Sequence, residues 1–160
     1  SALAQTVPDS AGVSFVPALA GLGAPHWSDA ARGTISGMTH GTKPAHLARA
    51  TFEAIAHQIA DVFEAMQADT GQRLSTFSAD GGASGNAFLM QLQADLIDRP
   101  VRVSRIEEIG AFGVAGMAMA AMGGTLAPLS DATMATPQMD PAIRYDARDR
   151  WARAIRQATG

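Results

Sequence analysis

From Ser78 the chain reads SADGGASGNAFLMQLQADL: two glycines follow an aspartate, and Asn86 stands four residues beyond Gly82, just ahead of an apolar helical pattern. A helix N-terminus presents unpaired N–H groups and the positive end of the helix dipole, so a glycine-lined entrance lets a phosphate or a ribose approach the backbone closely. The same glycines also serve simply to reverse a strand, because Gly81 and Gly82 reach backbone angles closed to other residues. Asp80, at the end of that strand, has the chemistry of a general base or of a Mg²⁺ ligand acting through water. The simpler role of accepting turn N–H bonds is preferred for it.

Other chemistry-bearing patterns are weaker. Gly82 and Ser84 supply half of a nucleophile elbow, but Asn86 stands where the second glycine is needed, so Ser84 reads as a helix cap rather than a hydrolase nucleophile. GMTHGTKP has the wrong spacing before Lys43 for a phosphate-cradling loop and no hydroxyl residue after it. Glu53, His57 and Asp61 fall at intervals of four on one side of a helix; the expected reading is acid–imidazole pairing on a solvated face rather than a metal site. His26, His40 and His46 have no mutual ligand spacing. Trp27 is expected to plug its Gly/Pro-rich loop onto the core.

The elements that must hold these residues alternate. Short strands are predicted over 13–16 and 34–38, a long helix from about 44 to Gly71 with Thr42 as N-cap, and a strand over 74–79. A helix over about 84–97, a strand over 101–103 and a small-residue helix over about 110–122 follow. The long helix is expected to bury Ala48, Phe52, Ile55, Ile59, Val62 or Phe63, and Met66. Residues 123–142 read as mostly loop and 143–158 as an amphipathic helix with Tyr145, Trp151, Ala154 and Ile155 on its apolar side. Strand and helix in alternation predict an α/β fold with parallel strands and crossover helices.

Length, charge and composition narrow the function. A chain of 160 residues suits one domain, and a net charge of −3 with scattered Lys and Arg argues against a nucleic-acid surface. The absence of cysteine fits a reducing cytoplasm. No apolar run is long enough to span a bilayer, no signal peptide is evident, and residues 1–12 read as a loop at a cut made inside a longer protein.

Three ordered segments carry a resemblance. In RGTISGMTHGTKPAHLARATFE, Gly33, Ile35, Gly37 and Met38 are followed by His46, Leu47, Ala50, Thr51, Phe52 and Glu53; FVPALAGLGAPHW and DGGASGNAFLMQLQADL lie on either side. Together they resemble the FGGY carbohydrate kinases from about Val13 to the end, with RIEEIGAFGVAGMA and the last helix in matching places. The resemblance implies a ribonuclease-H-like second domain of the actin and sugar kinase superfold, truncated at its N-terminal side, with 13–122 as its core. It implies an ATP-binding half of a kinase that moves the γ-phosphoryl group of MgATP to a hydroxyl of glycerol or a related polyol or sugar. Gly82 and Asn86 are then the positions that touch the adenosine part, with Gly81 completing the turn.

The same resemblance puts the catalytic aspartate, both phosphate loops and the polyol pocket in segments outside this sequence, so the chain alone is expected to be inactive. It also implies a sheet that lacks its upstream strands, repaired by a second copy of the chain or by its own N-terminal strand. His40 and the GASGN and EEIGAFG runs depart from the family pattern and leave the sugar open. The alternative is a non-catalytic nucleotide-binding or assembly module of the same superfold.

Overall fold

Helix α1 (Pro44–Thr70) organises the molecule because small residues line both of its buried sides. Ala56, Ala60 and Phe63 enter one core, and Ala54 enters a second. Alanine keeps high helix propensity and lets neighbours approach closely, so one helix serves two apolar clusters. Of the longer side chains expected inside, Phe63 is buried and Phe52 and Ile59 are half-buried, whereas Ile55 and Met66 are exposed. A period of three and four was present, but the true buried faces are carried by alanines and by His57 and Asp61. Gly71, with φ of 64°, ends the helix in the left-handed cap that glycine favours. Its N-cap is Lys43 rather than Thr42, whose hydroxyl accepts a bond from the Thr39 N–H at 2.8 Å instead.

The structure is a computed structural model that describes residues 1–104, 108–126 and 132–160. Residues 105–107, at the head of the segment beginning RIEEIG, and 127–131, within the expected 123–142 loop, lie outside the described residues.

The first core closes over a three-stranded sheet. Strand β3 (Phe77–Ala79) runs parallel to β4 (Val101–Ser104), and β5 (Ala132–Ala135) pairs antiparallel on the far side of β4, giving the order β3-β4-β5. Helix α2 (Ala87–Ile97) is the crossover between β3 and β4 and packs on α1 and the sheet through Leu89, Met90, Leu92, Leu96 and Ile97. Strand β3 is shorter than the 74–79 span expected. Before it, the Leu74 N–H donates to Gln67 Oε1 at 3.0 Å and the Leu74 carbonyl accepts from Arg99 Nε at 2.9 Å, so side chains replace the ladder there. Strand β5 was expected as loop; ATMA is short and has a weak strand preference, and its pairing with β4 is a tertiary choice.

The second core lies under a hairpin. Strands β1 (Ser14–Val16) and β2 (Thr34–Ser36) pair antiparallel as a separate two-stranded sheet, so the N-terminal strand does not complete the β3-β4-β5 sheet. Val16, Leu22, Ala31 and Ala54 pack with Trp151, Ala154 and Ile155 of the last helix, which follows helix α3 (Ile109–Ala121) and is α4 (Pro141–Thr159). Tyr145 of α4 is exposed, contrary to its expected place on the apolar side. Residues 3–6 form one 3-10 turn rather than open loop, with Ala4 buried. Helix α3 buries no residue: Val114 and Met117 are exposed, as is Met122 just beyond its end.

A candidate nucleotide cleft at the glycine turn

Strand β3 delivers the chain to Asp80, and the reversal follows at once. Gly81 adopts φ 80° and ψ 179°, a conformation that is essentially restricted to glycine. Residues Gly82–Gly85 make a single 3-10 turn before α2 begins, so the helix starts three residues later than the 84 expected. Asn86 is its N-cap: the side-chain oxygen accepts from the Leu89 N–H at 3.2 Å. Ser84 is therefore not the cap. It is buried within the turn and its hydroxyl donates to the Gly81 carbonyl at 2.7 Å, which fixes the loop.

Beside this turn opens a cleft of about 970 Å³. Gly81, Gly82 and Gly85 line it together with Met90, Gln91, Val103, Ser104 and Ala135. A Cβ placed on Gly81, Gly82 or Gly85 would meet nothing within 4 Å, so the bare backbone faces open space rather than a packed neighbour. Asn86 is half-buried and is not among the residues lining the cleft, whereas Gly81 and Gly82 are. The arrangement suits a ligand that brings a polar, anionic or hydroxylated end against exposed backbone and an apolar body toward methionine and valine.

One carboxylate ties α2 to the segment after β5. Asp95 Oδ1 accepts from Gln91 Nε2 at 3.0 Å and from the Gln138 and Met139 N–H groups at 2.7 and 3.1 Å. Gln91 Nε2 also donates to the Thr136 carbonyl at 2.8 Å. These bonds clamp the segment after β5 onto α2. The pattern was visible in QLQADLI as Gln91 and Asp95 one helical turn apart amid apolar residues, a sign of polar groups that need buried partners.

Away from the cleft, the trio at Glu53, His57 and Asp61 is not a solvated face. His57 and Asp61 are buried, while Glu53 is half-buried and paired with Arg49 at 2.7 Å. Asp61 Oδ2 accepts from Trp151 Nε1 at 2.7 Å and from His26 Nε2 at 2.8 Å, and Oδ1 accepts from Arg148 at 2.7 Å. One carboxylate thus joins α1, α4 and the loop of residues 17–33. The His57 ring stacks on Trp151 with centroids 5.0 Å apart, and Arg148 donates to its Nδ1 at 3.2 Å. Arginine has no acceptor, so that nitrogen is the unprotonated one. Burial, with Arg148 second, lowers the His57 pKa from 6.5 to about 3. Trp27 does not plug its loop; it is 78% exposed, and Leu22 and the His26–Asp61 pair anchor the loop instead. Among the described residues no group of three or more His, Asp or Glu is placed to hold a metal ion.

Comparison with known proteins gives this geometry its context. Residues 1–122 match the model of the FGGY family of carbohydrate kinases, C-terminal domain. Glycerol kinases of Trichlorobacter lovleyi and Symbiobacterium thermophilum are each 46% identical over 99% of this chain and 33% of their own length. In structure, Plasmodium falciparum glycerol kinase with ADP aligns with TM-score 0.82 at 27% identity, over 98% of this chain and 33% of that one. A ligand-bound xylulose kinase from Lactobacillus acidophilus aligns with TM-score 0.80 at 25% identity, over 98% of this chain and 33% of that one. The chain spans about a third of the length of the curated relatives it matches. The mixed sheet with its crossover helix is the ribonuclease-H-like fold of the sugar kinases, seen here over its C-terminal part. With sequence, fold and family model in agreement, the chain belongs to the FGGY family of carbohydrate kinases, to whose C-terminal domain residues 1–122 correspond.

Proposed function

We propose that this chain is the ATP-side part of a kinase that transfers the γ-phosphoryl group of ATP to a hydroxyl of glycerol or a related polyol, and that Gly81, Gly82 and Asn86 contact the adenosine half of the nucleotide. The supporting observation is the exposed glycine backbone lining the cleft, where a Cβ added to Gly81 or Gly82 would meet no other described part of the chain within 4 Å. The glycerol kinase similar to this chain that was solved with ADP supports the identity of the ligand. Gly81 and Gly82 take the ribose against main chain at the entrance to α2. A Mg²⁺ brought with the nucleotide would supply charge neutralisation at the transferring phosphoryl group. In-line transfer is a matter of positioning and charge stabilisation, and closure of a second domain over the cleft supplies both. The chain is a third of the length of its kinase relatives, so alone it is inactive toward glycerol and ATP.

Calorimetric titration with ADP tests the assignment. Wild type gives weak but saturable binding, Gly82→Val abolishes it by filling the open side of the turn, and Asn86→Ser weakens it while keeping the helix cap. Binding by Gly82→Val equal to wild type overturns the site. Turnover of glycerol with ATP by the chain alone overturns the claim of inactivity.

A further inference from the structure

We propose that Asp95 is a positioning residue for the bound nucleotide: without touching the ligand, it fixes β5 relative to α2 and so holds the cleft in the shape that binds. This rests on the nucleotide reading above and adds to it a residue outside the cleft. Beyond the glycine turn, α2 lines the cleft through Ala87, Met90 and Gln91, and β5 lines it through Thr133, Met134 and Ala135. The shape of the cleft therefore depends on how those two elements sit against each other. Strand β5 is the edge of its sheet, is only four residues long and pairs with β4 alone among the described residues. A short edge strand with weak strand preference needs a further anchor.

Asp95 is that anchor. It is 8% exposed, and neither it nor Gln138 nor Met139 is among the residues lining the cleft. Its Oδ1 gathers two successive main-chain N–H groups just after the end of β5, those of Gln138 at 2.7 Å and Met139 at 3.1 Å. Gln91 Nε2 bridges the same oxygen, at 3.0 Å, to the carbonyl of Thr136, at 2.8 Å, directly behind the strand. From the first turn of α4, Arg144 reaches back to the Asp95 carbonyl at 3.4 Å and to the Asp98 carboxylate at 3.0 Å. Removing an acceptor shared by three donors and nearly excluded from water leaves those donors short of partners. The segment behind β5 then loses its hold on α2, and the cleft loses a defined width.

A nucleotide that binds only the clamped form must, by linkage, close the clamp in return. Hydrogen exchange of the chain, followed by NMR with and without saturating ADP, tests this. Exchange at the Gln138 and Met139 amides slows by roughly fivefold or more, the low end of a typical coupling between sites. The Ala154 and Ile155 amides of the second core report any general stabilisation and serve as the reference. By calorimetry, Asp95→Ala binds ADP roughly fivefold more weakly or worse, and Asp95→Asn, which keeps an acceptor oxygen, restores part of the loss. Exchange at Gln138 and Met139 that ADP does not slow relative to the reference amides overturns the inference. So does a folded Asp95→Ala chain that binds ADP as wild type does. The exchange measurement uses wild type alone, so misfolding of a variant does not remove the test. Absence of ADP binding overturns the proposed function along with this inference, whereas binding without the coupling overturns this one alone.

Discussion

At the level of single residues, the two glycines of the turn do different work and separate in a measurable way. Gly81 occupies a backbone region closed to side chains, so Gly81→Ala costs about 1–3 kcal/mol of stability, read as a lower midpoint in urea unfolding. The turn itself was legible in the sequence, since Gly-Gly between a strand pattern and an apolar helical period supplies the backbone angles a reversal needs. The sequence did not reveal Asn86 as the cap, because Ser84 and Asn86 are both good capping types and only the extra 3-10 turn decides between them. His57 was misjudged for a related reason: spacing puts it beside two acids, and burial by Trp151 is invisible in one dimension. Its consequence is a pH dependence. The unfolded chain protonates His57 as pH falls through 6.5, while the folded chain resists until about 3. Within that window each unit of acidification favours unfolding by roughly 1.4 kcal/mol. Unfolding free energies of wild type and His57→Phe measured between these limits are expected to differ in slope by about that amount, with wild type the steeper. Parallel slopes would mean that His57 is not held neutral.

The elements show where periodicity informs and where it misleads. Helices α1 and α4 were legible because they carry capping glycine or proline signals and long amphipathic runs. The face of α1 was not, because its contact residues are alanines whose small size matters more than their hydropathy, and because an aspartate satisfied by three donors can be as buried as a valine. Strand β5 escaped for the opposite reason, having too weak a local preference to announce itself. Helix α3 is the element with the least support: Met117 is 76% and Met122 88% exposed on a segment of alanine, glycine and methionine. Such a surface is uncommon on a monomer in water. The chain is accordingly expected to self-associate through α3, giving a mass by light scattering that rises with concentration. Met117→Glu is expected to lower that mass toward 16.6 kDa, the value for one copy. A clean monomer in wild type at high concentration contradicts this.

At the scale of the whole molecule, two small cores share α1, and each supports a different feature. One presents the glycine turn and its cleft; the other locks the loop of residues 17–33 through Asp61. The motifs that carry the family resemblance are distributed over both, which is why the family was readable from sequence while the hub at Asp61, built from residues 35 to 90 positions apart, was not. Nucleotide contact at the glycine turn is what a kinase role of this chain depends on. Titrating the ¹⁵N-labelled chain with ADP and following backbone amide shifts tests this most directly. The largest displacements are predicted at Gly81, Gly82 and Asn86, with smaller ones at Met90 and Gln91. Saturating shifts that leave these amides in place while others move would contradict it.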